Sequence, residues 1–259
     1  MRALVDTHCH LGHHFDLGVE DQLARARAAG VRVLVDVGTD VASSRAAVVN
    51  AQAQPDVWAA VGLHPNDAGT ASETVLAELD ALAGEPRVVA VGETGLDRYR
   101  DTVTPAEQDR AFRAQIAIAR RHDLAVVVHC RDAWDACVRV LEEEGMSGPD
   151  ARVVLHCYSG DVATTVRTVA NGWFHSFAGN VTFTNAAPLR EVVALVPDEL
   201  LLTETDAPYL TPHPHRGSTN DPSFVGLTLA LLADVRGAHP DDLAAIVLAN
   251  TRRAFALPG

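Results

Sequence analysis

Short apolar runs rich in β-branched residues alternate along the chain with longer segments of helix-forming character. The eight apolar runs lie between residues 3 and 206 and read ALVD, VRVLVDVG, VWAAVGLH, RVVAVGET, LAVVVHC, RVVLHC, GWFHSFAG and ELLLTETD. The segments between them are rich in alanine, leucine, arginine and glutamate, which favour helices. Near-continuous apolar runs are typical of parallel strands that are covered on both faces. The pattern therefore predicts eight strand–helix units.

Eight such units in a chain of 259 residues predict an α/β fold, a (β/α)8 TIM barrel formed as a single domain by residues 1–259. A doubly wound open sheet is the alternative, but it would be unusually wide for so short a chain. No linker, low-complexity tract or block of charge divides the sequence. One barrel is therefore the favoured architecture.

The net charge and the lengths of the apolar stretches exclude some classes of partner and indicate a location. A formal net charge of −13 argues against nonspecific binding to duplex nucleic acid, although it leaves room for local contacts to a few phosphates. No apolar stretch approaches the ~20 residues that cross a bilayer, and the N-terminus lacks a signal-peptide core. We therefore expect a cytoplasmic protein without a membrane partner. The oligomeric state stays open and is compatible with a monomer.

All 21 basic residues other than histidine are arginine, and the chain contains no lysine. This excludes a phosphate-binding loop that depends on lysine, a Schiff-base lysine and a metal bridge made by carbamylated lysine. Any bridge between two metal ions must therefore come from another side chain.

Polar residues cluster where the predicted strands end, and the carboxyl ends of barrel strands meet at one mouth. His8 and His10 project from the same face of the first strand, because a strand alternates its faces with period two. The residues that the barrel would bring together in this way are His8, His10, Glu93, His129, His156 and Asp206. Other polar residues at strand ends are His64, Asp97, Arg131 and Glu204.

Four imidazoles and two carboxylates form a ligand set that suits zinc, manganese or magnesium. Six ligands are too many for one tetrahedral zinc that must keep a water, but they suit two divalent ions with Glu93 as the bridge. Asp206 could bind one ion and also accept a proton as general base. Two adjacent ions can polarise a phosphoryl or carbonyl group and activate water.

Three of the four cysteines directly follow a histidine of this set. Strand alternation predicts that the thiols of Cys9, Cys130 and Cys157 point away from the histidine face. No Cys-x-x-Cys pair occurs, so we expect all four cysteines to be reduced and none to bind metal.

These motifs resemble those of the TatD family of metal-dependent hydrolases, within the wider amidohydrolase-like barrels. The matching stretches run in order from residue 6 to residue 222 and read DTHCHL, VGLHP, VGETGLD, EQDRAFRAQIAIAR, VVVHCRDA, VLHCYSG, GNVTF and LLTETDAPYLTPHPHRGSTNDP. The resemblance implies a (β/α)8 fold, a centre of two divalent metals, and nuclease action on DNA, commonly 3′ to 5′ on single strands.

The resemblance also implies a role for each matching residue. One metal would be held by His8, His10, Glu93 and Asp206, and the second by Glu93, His129 and His156. His64 and Arg216 would face the substrate, most simply its phosphate. The residue after the glutamate is often apolar in the family, whereas this chain has Thr94 there. The position of Asn180 is also variable. These positions affect the surroundings of the bridge and the detail of substrate binding.

The leading hypothesis is a deoxyribonuclease that acts on single-stranded DNA ends. A first alternative is a metal-dependent hydrolase of another ester, such as charged tRNA, a lactone or a small phosphoester. A second alternative is a metal-binding scaffold without catalysis. A nuclease should carry arginines and aromatic platforms around its mouth, and the candidates are Arg131, Arg216, Tyr158 and Tyr209.

Overall fold

The structure is a computed structural model that describes residues 3–14, 16–148 and 150–258. Within these ranges eight parallel strands form one sheet in chain order, which confirms the predicted (β/α)8 barrel. The strands are β1 (Leu4–Cys9), β2 (Val31–Val37), β3 (Val57–Val61), β4 (Val88–Asp97), β5 (Ala125–Arg131), β6 (Val153–Leu155), β7 (Phe174–Phe177) and β8 (Leu201–Thr203).

Helices follow the strands and cover the outside of the sheet. They are α1 (Val19–Ala29), α2 (Val41–Ala53), α3 (Glu73–Ala83), α4 (Pro105–Arg121), α5 (Trp134–Glu143), α6 (Val162–Ala170), α7 (Ala187–Leu195), α8 (Val225–Arg236) and α9 (Pro240–Ala254). None of the helices within the described ranges combines the length and apolar character that a membrane crossing needs.

The barrel closes where β1 meets β8. The backbone N–H of Asp206 donates to the carbonyl of His8 at 2.9 Å, and the N–H of His10 donates to the carbonyl of Ala207 at 2.8 Å. Deeper in the barrel, Thr7 Oγ1 donates to the carbonyl of Thr203 at 3.1 Å. Closure therefore runs through the backbone of predicted metal ligands, and it fixes His8 and Asp206 relative to one another.

Two apolar layers hold the barrel together. A smaller buried cluster contains residues of β2 to β8 together with Phe255, which directly follows α9, and this cluster fills the barrel interior. A larger cluster contains buried residues of both strands and helices, such as Val126 and Phe112, and lies between the sheet and the helices around it. The strands are apolar on both faces because each face packs against one of these clusters.

Two strands are shorter than the apolar runs suggest. β6 ends at Leu155 and β8 at Thr203, before His156 and Asp206. The chain turns at these points, and both Cys157 (φ 43°) and Asp206 (φ 56°) have left-handed backbone conformations. Strand alternation consequently does not continue through these two segments.

Candidate metal centre

The structure brings the six predicted ligands to one place at the mouth of the barrel. On one side, His8 Nε2 lies 3.3 Å from His10 Nε2 and 3.4 Å from Glu93 Oε2. Asp206 Oδ1 lies 3.6 Å from His10 Nε2 and 3.8 Å from His8 Nε2. The ligand atoms of His8, His10 and Asp206 all lie within 4.8 Å of one another.

The second oxygen of Glu93 faces a different pair of histidines. Glu93 Oε1 accepts a hydrogen bond from His129 Nδ1 at 2.6 Å and lies 3.0 Å from His156 Nε2. The rings of His8 and His156 stack with centroids 3.8 Å apart, so the two sides are adjacent. One carboxylate thus stands between two groups of imidazoles, with one oxygen turned toward each group.

His64 lies closer to the ligand cluster than its predicted contact with substrate requires. Its Nε2 atom is 3.3 Å from His129 Nδ1 and 3.5 Å from Glu93 Oε1. Its Nδ1 atom accepts a hydrogen bond from the backbone N–H of Asn66 at 3.1 Å, which leaves Nε2 facing the cluster. The geometry therefore makes His64 a further candidate ligand.

Three of the four predicted ligand histidines have a polar partner on the side of the ring that faces away from the cluster. His10 Nδ1 donates to the carbonyl of Val37 at 2.7 Å, and His156 Nδ1 donates to Glu204 Oε1 at 3.0 Å. His129 Nε2 lies 3.4 Å from Asp97 Oδ2. Such partners select the tautomer and raise the basicity of the ligand nitrogen. Sequence reasoning placed Asp97 and Glu204 at strand ends but gave them no role.

Glycines in β4 allow Glu93 to reach the centre. Gly92 has a φ of 153°, and a Cβ there would lie 2.5 Å from the carbonyl oxygen of Val127 in β5. Gly95 has a φ of 143°, and a Cβ there would lie 2.0 Å from the carbonyl oxygen of His129. The register between β4 and β5 shifts between Val91 and Thr94, a stretch that contains Gly92. Only glycine permits this close approach, which aims the carboxylate between the histidines.

Two buried glutamines of α4 hold the ends of β3 and β4. Gln115 accepts from the backbone N–H of Leu63 at 2.7 Å and donates to Thr94 Oγ1 at 2.6 Å. Gln108 accepts from the N–H of Asp97 at 3.0 Å and donates to its carbonyl at 2.8 Å. Thr94, where the chain departs from the family pattern, therefore has a specific partner beside the bridge residue.

The electrostatics of the cluster suit a divalent cation. Burial opposes ionisation of Glu93, but the imidazoles of His156 and His64 outweigh it and hold the pKa of the carboxyl well below its usual range. Burial and the neighbouring His156 lower the pKa of His8 to about 3, and burial lowers that of His64 to about 4. At other rings the neighbouring carboxylates outweigh burial and raise the pKa of His10 to about 9 and that of His156 well above its usual value, so a divalent ion would displace protons from these imidazoles on binding.

A cavity of about 580 Å³ opens above the cluster. Its rim carries Arg100, Arg131 and Tyr209, of which Tyr209 is 54% exposed. The guanidinium of Arg131 lies over the ring of Tyr99, with Cζ 3.6 Å from the ring centroid. Sequence reasoning missed Tyr99 and Arg100, although the basic and aromatic run RYR directly after β4 was a usable signal.

Two predicted contacts to substrate lie elsewhere. Tyr158 is fully buried, packs edge-on against Trp134, and shares a hydrogen bond with Thr165, so its interpretation as a base platform is wrong. Arg216 lies outside the lining of the main cavity, with Cζ 3.9 Å above the ring centroid of Phe183. Its role in phosphate binding stays a prediction.

The cysteine thiols do not all turn away from the site. Cys9 is buried, and its thiol lies 3.5 Å from the carbonyl of Val35, as expected for a core residue. Cys130 is also buried in the core, and its thiol pairs with that of Cys137 in α5, as expected. Cys157 lines the main cavity, and its Sγ accepts from Asn180 at 3.6 Å, so the expectation is wrong for this residue. Cys157 follows the end of β6, where alternation no longer applies. No cysteine joins the three histidine–carboxylate groups found within the described ranges.

The barrel and the imidazole–carboxylate cluster at its mouth together define a class, that of the metal-dependent hydrolases. Within it the chain belongs to the TatD family, because the family model described as TatD related DNase matches residues 5–256. The expected family is thereby confirmed.

Individual relatives agree with this placement. The metal-dependent hydrolase TatD of Mycobacterium tuberculosis is 42% identical, and the match covers 98% of each chain. The 3′-5′ ssDNA/RNA exonuclease TatD of Salmonella typhimurium is 37% identical, over 93% of this chain and 98% of that protein. The crystal structure of YjjV, a TatD homologue from Escherichia coli, superposes with a TM-score of 0.90 at 31% identity, covering 98% of both chains.

Proposed function

We propose that this protein removes nucleotides from the 3′ end of single-stranded DNA by hydrolysing phosphodiester bonds. The observation that carries the proposal is the position of Glu93, whose two oxygens face two separate groups of histidines beneath a cavity with arginines at its rim. The whole chain, residues 1–259, would act as one domain.

The donor set fits two divalent ions. His8, His10, Glu93 and Asp206 would hold one ion, and Glu93, His129 and His156 the other, with His64 close enough to contribute. The nitrogen and oxygen donors suit zinc, manganese or magnesium. When bound, such ions polarise a phosphoryl oxygen and make water a stronger nucleophile at neutral pH.

In this proposal Asp206 accepts a proton from the attacking water. Its side chain is 13% exposed, lines the main cavity, and reaches the ligand cluster through Oδ1. Its backbone is tied to β1 by the hydrogen bond to the carbonyl of His8. A base held this rigidly can face the substrate phosphate without a loop movement.

The rim supplies binding groups for a single strand. Arg100 and Arg131 line the cavity and provide positive charge for phosphate, and the exposed ring of Tyr209 provides a stacking surface. The net charge of −13 makes binding along an extended DNA duplex unfavourable. Phosphate contacts limited to the mouth of the barrel favour the end of a single strand. Relatives named 3′-5′ ssDNA/RNA exonuclease support the same substrate class.

Cytoplasmic action as a monomer belongs to the same proposal. The four cysteines are all free of disulfides, which suits a reducing compartment. Gel filtration with light scattering reports the mass in solution, and a stable dimer would contradict the monomer.

The decisive experiment offers the purified protein, loaded in turn with manganese, magnesium or zinc, a panel of substrates. The panel contains single- and double-stranded DNA, RNA, charged tRNA and a lactone. We expect a 5′-labelled single strand to shorten progressively and a 3′-labelled strand to release its label first, with both reactions abolished by a chelator. Turnover of charged tRNA or the lactone without any cleavage of DNA would contradict the proposal.

A further inference from the structure

A second cavity of about 440 Å³ opens beside the main one, and we call it the side groove. It is lined by residues 159–162 before and at the start of α6, by Asn180 and Phe183 after β7, and by residues of the segment 185–192 that begins α7. Ser159 and Asn180 line both cavities, so the groove is continuous with the metal centre. A strand whose phosphate lies at the metals can extend directly into it.

The chemistry of the side groove is opposite to that of the main rim. Phe183, Leu189 and Val192 contribute apolar surface, whereas Asp161 and Glu191 contribute carboxylates. None of the described lining residues is basic, so a phosphate would meet negative charge without a counterion. A flat, neutral ligand with hydrogen-bonding edges fits this lining better, since its faces pack on apolar groups and its amino groups approach carboxylates.

Two arginines hold Phe183 in place. The guanidinium of Arg216 lies over its ring, and Arg190 Nη1 donates to the backbone carbonyls of Val181 at 3.0 Å and Phe183 at 2.9 Å. Arg216 itself is not part of the groove lining. A ring that is positioned before the ligand arrives offers stacking surface at little entropic cost.

We propose that the side groove binds the base of a nucleotide adjoining the scissile phosphate, with the base packed against Phe183. Asn180, at the junction of the two cavities, can donate to or accept from a base edge. The inference rests on the proposed nuclease function and names where that activity recognises a base. It also gives Arg216 a positioning role, as the group that backs the stacking ring.

The test combines a substitution in the groove with removal of the base. Single-stranded DNA carrying one abasic nucleotide at the first, second or third position from the 3′ end is compared with the intact strand, using wild type and Phe183→Leu. For wild type we expect kcat/KM to fall about tenfold at one position, a typical cost of losing one stacked base. Phe183→Leu should lose about the same factor on the intact strand and nothing further on that abasic strand.

Two more variants distinguish the loss of base binding from damage to the fold. Ala186 is half-buried at the edge of the groove, and Ala186→Trp would fill the groove with a large side chain. This variant should also turn over the intact strand more slowly and leave turnover of the abasic strand unchanged. Leu195→Ala, at an exposed position of α7 outside both cavities, should leave both substrates unaffected.

The outcomes distinguish this inference from the proposal on which it rests. Wild-type cleavage of DNA with equal losses in both enzymes at all three abasic positions would overturn the groove as a base site and leave the nuclease function standing. A wild type that cleaves none of the strands would overturn both.

Discussion

Glu204 lies directly behind His156, and its Oε1 atom accepts hydrogen bonds from both His156 Nδ1 at 3.0 Å and the backbone N–H of Cys157 at 2.8 Å. The opposite ring nitrogen, Nε2, is thereby turned toward Glu93 at 3.0 Å. A fully buried carboxylate thus orients the ring of a predicted metal ligand that lies beyond the end of its own strand.

Glu204→Gln should weaken metal binding without unfolding the barrel. The amide keeps the shape but loses the charge that supports the His156 ring, and loss of such a partner lowers metal affinity or activity by about 10–100-fold. Titration with a metal indicator measures the affinity. Glu199→Gln, in the exposed turn before β8, is the control and should bind metal as wild type does. Equal affinity in both variants would remove Glu204 from the support of the centre.

Glu93→Gln should reduce occupancy at both halves of the centre. The substitution preserves volume but removes the negative charge that the two proposed dications would share, and its amide group cannot offer an oxygen to each side. Elemental analysis of the purified variant gives the number of ions per chain. Full occupancy with two ions in a folded Glu93→Gln protein would rule out a bridging role.

Asp206→Asn should separate metal binding from turnover. Asparagine tolerates the left-handed backbone at this position as aspartate does, so the loop can keep its course. His8, His10 and Glu93 remain to hold an ion, while the proton acceptor is lost. We expect some metal to be retained and turnover of single-stranded DNA to fall by about 10²–10⁴, the range for loss of a general base. Full activity in the folded variant would remove Asp206 from the mechanism and point to another base.

Thr94→Val should destabilise the barrel beside the bridge. Thr94 is buried, and its hydroxyl accepts the 2.6 Å hydrogen bond from Gln115. Removing a buried acceptor costs about 1–3 kcal/mol, which denaturant unfolding can measure. Thr94→Ser keeps the hydroxyl and should recover most of the loss. If valine proves as stable as serine, the hydrogen bond contributes nothing at this position.

Asp36 should give stability a specific dependence on pH. Burial raises the pKa of its carboxyl from 3.8 to about 6, against the opposing hydrogen bonds from Asn50 and the Leu11 N–H. At a pH between these two pKa values, Asp36 holds its proton in the folded state and loses it in the unfolded state. The free energy of unfolding should therefore fall as pH rises from about 4 to about 6, by about 3 kcal/mol from this group.

Asp36→Asn should remove that contribution. Its unfolding free energy, measured by denaturant titration at each pH, should depend less steeply on pH across the same window. Other buried carboxyls contribute to both proteins alike, so the difference between the two profiles isolates Asp36. Identical profiles would show that Asp36 does not titrate there.

The sequence by itself was sufficient to predict the barrel and the histidines and carboxylates that cluster at its mouth. The apolar runs repeat within each strand–helix unit, and strand ends in a parallel barrel must meet at one mouth. His8, His10, Glu93 and Asp206 could therefore be placed together from positions along the chain. The absence of lysine likewise directed attention to Glu93, whose two oxygens face different histidines in the structure.

Only the tertiary structure decided what surrounds those ligands. Alternation predicts direction only within a strand, and β6 ends at Leu155, so Cys157 lines the cavity and Tyr158 enters the core against the expectation for both. Arg216 likewise lies on Phe183 because two loops meet there, and the distance between them in sequence conveys nothing of that contact. Local periodicity reports which residues a strand presents, whereas packing between distant segments determines which of them line a binding surface.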